Sequence, residues 1–354
     1  MEPPLRSMPT QIIPIAGGVL LKRGCTEVKI NGDRAAAIVR DVLLAAAFEE
    51  KAGEEICEQF AEPDRPVVRQ LINQLIQRRL LLPTNRSHLR SDELEEGEDV
   101  FYWHFESSLQ EVRNRLAAKH LGILGVNFIS RRLIAELRDS GFEHLTIIDL
   151  PILRNLRMFD VPDSTPNLGQ GEGDDFLSFV EWDRHPARYP LDCLVAACDF
   201  AAADCFRQIN ALCIKQALPM MPVMLHNMVG TVGPLMIPGE TPCYECFTLR
   251  EHSNREDAHT ASIFDRMAFE GQGVTGFHPV MATVSAEVAC FELIGVFSDV
   301  LPKRKPGTFI EINVLAGQMS RRRALKVPRC PVCGPVVAHP PISITKALAD
   351  ERAL

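Results

Sequence analysis

The stretch HLGILGVNFISRRLIAELRDSGFEHLTIIDL, residues 120–150, decides the fold. An apolar run, HLGILG, gives way to a helix over 130–139, and a second apolar run, HLTIIDL, ends on Asp149. Strand, helix and strand within about 30 residues form the βαβ opening of a parallel, doubly wound sheet. A helix over 107–118 leads into it. Downstream, CLVAAC reads as a third strand ending at Asp199, a helix runs from Asp204 to Lys215, and PMMPVML follows.

Upstream of this unit the composition turns polar. Asp92, Glu93, Glu95, Glu96 and Glu98 crowd together, which reads as a linker over 85–105. Residues 1–84 precede it as a small domain. Gly17, Gly18, Gly24 and Gly32 punctuate β-rich pieces over 11–31, the pattern of an antiparallel ribbon. Three helical segments follow: one after Asp33, one after Gly53, and one after Asp64 in which Val68, Leu71, Ile72 and Leu75 recur at helical spacing. Leu80, Leu81 and Leu82 close the segment before Pro83. A ribbon, three helices and a terminal apolar piece over about 80 residues fit a winged helix-turn-helix.

The bulk properties agree with two domains. The chain has 354 residues, 46% hydrophobic and 24% charged, enough to bury a sizeable core. A net charge of -8 argues against nucleic acid as the partner. The most apolar later segment, 282–300, is interrupted by Glu287, Glu292 and Asp299, and the first residues lack a signal-peptide stretch. No membrane span and a cytoplasmic location are the expectation.

Eleven cysteines in a reducing compartment call for burial or metal. Cys243 and Cys246 in PCYEC, and Cys330 and Cys333 in RCPVCG, have the two-residue gap that lets two thiolates converge on one ion. Two such pairs make a closed, four-thiolate zinc site of structural type, tying the C-terminal end back onto the body of the domain. Cys193, Cys198, Cys205, Cys213 and Cys290 read as core residues.

HLTIIDL, RNLRMF, a strand ending in Asp199 with Arg207 eight residues on, PGETPCYEC and the distant CPVCG together resemble the ubiquitin-activating-enzyme-like (ThiF-like) superfamily over roughly residues 105–335. Within it, the PRCPVCG ending and the small preceding domain look like partner proteins of YcaO cyclodehydratases. These proteins bind the leader of a precursor peptide during the making of thiazole- and oxazole-containing peptides, a class that includes antibiotics. The resemblance implies a Rossmann-like activating-enzyme domain over 106–354, a leader-peptide recognition domain over 1–84, and a precursor leader and a YcaO-type enzyme as partners. It also leaves room for a homodimer.

By the same resemblance, Asp149 would hold a ribose, Asn155 and Arg157 would belong to the nucleotide site, and Asp199 would sit near magnesium. Each also reads as an ordinary strand-end or capping residue. Members of the family that use ATP carry GxGGxG after the first strand, where absent side chains let backbone N–H groups approach phosphate. Here Gly125 is kept, while Asn127, Phe128 and Ser130 replace the other glycines, and no lysine lies between Lys119 and Lys215. ATP is therefore not expected as a cofactor.

The expectation is a non-catalytic scaffold, with an ATP-dependent adenylating enzyme as the alternative. A nicotinamide-dependent oxidoreductase rests only on the βαβ unit and suffers from the same glycine losses. For the leader, resemblance places a groove between the third strand (27–30) and the third helix (67–75). Val28 and Ile30 would face it from one side of the strand and Val67, Leu71 and Gln74 from one face of the helix, with Lys29, Gln70 and Gln74 at its edge and rim.

Overall fold

The structure, a computed structural model, describes residues 3–48, 51–84, 97–155, 175–200, 203–226, 228–253, 263, 276–303, 305 and 307–334. The chain divides into two compact units, Met1–Val112 and Arg113–Leu354.

The first unit runs β1 (Leu5–Ser7), β2 (Gln11–Ile15), β3 (Gly18–Arg23), β4 (Thr26–Asn31), α1 (Ala35–Phe48), α2 (Gly53–Glu58), α3 (Arg65–Gln77), β5 (Leu81–Pro83) and α4 (Gly97–Trp103). The order of ribbon, three helices and closing strand is the one the sequence predicts. Strands β2, β3 and β4 form an antiparallel meander, with β4 on one edge, and β1 pairs with β5. Alternate residues Val19, Leu21 and Arg23 of β3 are buried. The two apolar ones meet Val39 and Val42 of α1, Ile56 of α2, and Val68 and Leu75 of α3 in one core.

Residues 97–103, read from the sequence as linker, are helical. Gly97, Glu98 and Asp99 give α4 an acidic first turn suited to the positive end of a helix dipole, and the acid-rich composition hides the aromatic anchor behind it. Tyr102 and Trp103 are buried. Trp103 Nε1 donates to the Arg79 carbonyl at 3.2 Å, Arg79 donates back to the Trp103 carbonyl at 2.7 Å, and the Arg23 guanidinium lies 4.7 Å from the indole centroid. The rest of the expected linker from 85 to 96 lies outside the described residues.

After α5 (Leu109–Ala117), which spans the division between units, the second unit continues with β6 (His120–Leu124), α6 (Phe128–Asp139), β7 (His144–Asp149), β8 (Asp175–Ser178), α7 (Phe179–Arg184), β9 (Cys193–Cys198) and α8 (Ala203–Lys215). It ends with β10 (Met220–His226), β11 (Val229–Val232), α9 (Tyr244–Ser253), α10 (Pro279–Phe297), β12 (Thr308–Asn313) and β13 (Gln318–Arg323). One mixed sheet carries them in the order β13-β12-β11-β10-β9-β6-β7-β8. From β10 to β8 neighbours are parallel, and from β10 to β13 they are antiparallel. Every residue of β9 is buried, as expected of a central parallel strand covered on both faces. Trp182 of α7 is buried, with its ring 5.7 Å from that of Phe179.

Helix α10 has the length and apolar character of a membrane span, yet it packs against α6, β10 and β11 as a core helix. The chain passes from β6 outward through β7 and β8, then returns to β9 on the other side of β6. Reversal of strand order at β6 and β9 opens a crevice at their carboxyl ends, where ligands bind in open α/β sheets.

Candidate functional site

The crevice is built from the chain ends of β6, β7 and β9. Gly125 follows β6 with φ +104, and a Cβ there would lie 2.5 Å from the Ala197 carbonyl of β9, so only glycine fits. Asn127 then caps α6. Its Oδ1 accepts from the Ser130 N–H at 3.1 Å, while its Nδ2 donates to the carbonyls of Ala197 at 2.8 Å and Leu153 at 3.3 Å. The Ser130 hydroxyl in turn accepts from the Asn127 N–H at 2.9 Å, completing a reciprocal capping box. A wholly buried amide thus stitches the β6 turn to β9 across the switch point.

Phe128, the first residue of α6, donates its backbone N–H to Asp199 Oδ2 at 3.0 Å. Helix N-termini attract anions because their first N–H groups lack partners. Here the chain supplies the anion itself. Asp199 is 1% exposed, its Oδ2 also accepts from Asn155 Nδ2 at 3.0 Å, and its Oδ1 has no partner. Burial pushes the Asp199 carboxyl above the usual carboxylate range, against the hydrogen bonds from Phe128 and Asn155 that hold it down. Asp149, buried at the end of β7, pairs with Arg154, whose Nε lies 2.9 Å from Oδ1. The Phe128 ring meets Phe277 edge to face at 6.0 Å.

The expected nucleotide residues Asp149, Asn155 and Asp199 therefore gather at one end of the sheet, but each has a partner within the chain. Arg157 lies outside the described residues. Two participants were missed by reading the sequence. Arg154 sits within the RNLRMF segment, and Asn127 was read only as a lost glycine although Asn before a helix is a capping signal. Two cavities, of about 400 and 710 Å³, open elsewhere in the unit, and none of these crevice residues lines either.

The four paired cysteines come together as their spacing predicts. Their sulfurs all lie within 4.8 Å of one another, with Cys243 to Cys246 at 3.9 Å, Cys243 to Cys330 at 3.6 Å and Cys246 to Cys333 at 3.4 Å. Bonds of about 2.3 Å to a tetrahedral ion imply sulfur edges of roughly 3.8 Å, so the residues fit a metal ion without rearrangement. Burial pushes the Cys246 thiol up to about 11 and that of Cys243 higher still, so a divalent cation is what would make thiolates of them at neutral pH. Val327 donates its N–H to Cys246 Sγ at 3.3 Å, an outer-shell contact typical of thiolate sites.

Of the residues expected to hold a peptide, Val28 and Ile30 lie half-buried on one face of β4, and Lys29 is exposed on the other. On α3, Gln70 and Gln74 are exposed and Val67 is 60% exposed. Leu71 is buried among the core residues, the least accessible of the seven.

Residues 167–332 match the ThiF family. The chain contains a ThiF family domain. That match begins beyond β6, α6 and β7. No curated protein matches the sequence. Among solved structures, E. coli MccB with ATP superposes with a TM-score of 0.62 at 16% identity, covering 93% of this chain and 99% of MccB. The microcin C7 biosynthetic enzyme MccB in complex with N-formylated MccA gives 0.64 at 16%, with 93% and 99% covered. A heterocyclase in complex with substrate and cofactor gives 0.58 at 15%, covering 93% of this chain and 39% of that one. At these identities the likeness is one of fold.

Proposed function

We propose that the protein is a peptide-binding scaffold in the maturation of a ribosomally made precursor. Its first unit captures the leader, and a separate YcaO-type cyclodehydratase performs the ATP chemistry. The internal pairing at the crevice carries this reading: Asn127 is bonded to the end of β9, Asp199 accepts from the first N–H of α6, and Arg154 holds Asp149. A phosphate would have to displace a carboxylate from that helix end, and no lysine between 119 and 215 offers a counter-ion. The likeness to MccB bound to a peptide, and to a heterocyclase with its substrate, supports a peptide as the partner.

Titration with ATP and magnesium should give no saturable heat up to roughly millimolar nucleotide, a ceiling of about 4 kcal/mol. Sub-micromolar binding, or pyrophosphate exchange dependent on a precursor peptide, would promote the adenylating enzyme instead. That second reading draws on the fold shared with MccB in complex with ATP and on the survival of Asp149, Asn155 and Asp199.

The leader reading rests on β4, whose outer edge has no strand partner among the described residues. An extended peptide can add there, with main-chain bonds giving affinity and alternate side chains giving specificity. In a winged-helix recognition domain the side-chain groove would be completed by Val67, Gln70 and Gln74. Lys29→Glu and Gln74→Ala change exposed positions and spare the core, and each should weaken leader binding by about tenfold, or 1.4 kcal/mol. Deleting residues 1–84 should abolish it. Unchanged affinity after that deletion sinks the assignment. We further infer that the ion on the four cysteines is zinc, since a closed thiolate tetrahedron suits a metal without geometric preference and leaves no open position for substrate.

A further inference from the structure

We propose that Arg207 is a positioning residue for the four-cysteine metal site, where it balances the charge of Glu245, a carboxylate that the chain buries between two of the metal's ligands. The inference rests on the cluster holding a metal. Glu245 lies between Cys243 and Cys246 and is 4% exposed. A divalent ion on four thiolates already leaves two net negative charges. A further buried carboxylate in the same turn opposes that charge unless it is paired.

The pairing comes from α8. Arg207 Nε lies 2.6 Å from one Glu245 oxygen, and its terminal nitrogen lies 2.8 Å from the other, a two-pronged fit. The same helix holds the neighbouring residue. Asn210 Oδ1 accepts from the Tyr244 N–H at 3.0 Å, and the Phe206 ring packs edge-on against that of Tyr244 at 5.8 Å. Both residues separating Cys243 from Cys246 are thus gripped by Phe206, Arg207 and Asn210. Outer-shell partners of this kind orient ligands, and their loss typically costs 10- to 100-fold in metal affinity.

A charge-balancing role makes a signed prediction that simple packing does not. Arg207→Gln in the full chain should weaken cobalt(II) binding about 10- to 100-fold, read from the thiolate-to-cobalt absorption in competition with a chelator. Glu245→Gln should bind at least as tightly as the parent. The double variant, with neither charge, should recover to within about threefold of the parent, and Arg207→Lys should fall between. Circular dichroism of each variant separates a change in affinity from a failure to fold; if Arg207→Gln does not fold, the order of Arg207→Lys, Glu245→Gln and the double variant decides. Parent-like affinity in Arg207→Gln, or a double variant no tighter than Arg207→Gln, overturns the proposal while leaving the metal site standing. A parent chain that develops no cobalt–thiolate absorption overturns both.

Discussion

Removing the metal proposed on Cys243, Cys246, Cys330 and Cys333 is expected to destabilise the second unit more than any side-chain change that leaves the metal bound. The ligand pairs stand 87 positions apart in sequence, and the three buried cysteines form a small cluster of their own with Ile214, Val327 and Val332 packed on it. Without an ion that cluster has few apolar neighbours and holds the segment after β13 weakly. Structural zinc contributes about 10–16 kcal/mol in small zinc-finger peptides, where it organises the whole fold. Here the sheet and α10 supply an independent core, so a loss of roughly 5 kcal/mol and a fall in Tm of about 10–20 °C are expected. Purified protein should contain about one equivalent of zinc. Cys330→Ser should lose it and melt like the chelated parent, measured by metal analysis and calorimetry. Stoichiometric metal retained without two of the four cysteines would reject the site.

The second large effect is expected at Asn127. Its side chain makes three hydrogen bonds in a site with no solvent access. Asn127→Ala leaves two buried carbonyls and the Ser130 N–H with fewer partners and removes the α6 cap. Each bond is worth about 1 kcal/mol net, and unsatisfied buried groups add to the loss, for a total of about 3–5 kcal/mol. Urea denaturation followed by circular dichroism measures it. Asn127→Gly, which restores a family glycine, should cost about as much and should not restore nucleotide binding, because Asp199 would still satisfy the Phe128 N–H. A loss below about 1 kcal/mol would mean that the amide does not hold the β6 turn to β9.

What could be read from the sequence was what is local. The β6–α6–β7 unit was legible because its apolar runs and helix lie within about 30 residues. The four-cysteine cluster was legible because two thiols separated by two residues can converge on one ion wherever the second pair falls. The antiparallel half of the sheet was not legible. β13 reads Gln-Met-Ser-Arg-Arg-Arg and is exposed at nearly every position, so it has no apolar alternation to betray a strand. Such a basic edge resists pairing with another copy of itself. Helix α4 was hidden by its acidic flank. Asn127 was visible as a departure from the glycine pattern, yet its bonds reach Leu153 and Ala197, 26 and 70 positions away. A missing glycine shows that a ligand has lost room. Only the structure identifies what took the space.

The two tryptophans of the chain fall one to each unit, Trp103 in the first and Trp182 in the second. Their surroundings differ in kind: Trp103 lies against the Arg23 and Arg79 guanidinium groups, whereas Trp182 lies in an apolar cluster beside Phe179. Emission from an indole responds to nearby charge and to the arrival of water, so the chain carries a separate optical reporter for each unit. With Trp103→Phe and Trp182→Phe as single-reporter variants, leader capture and metal loss become separable signals. Peptide binding should shift the emission of Trp103 and leave Trp182 unchanged, and chelation should do the reverse.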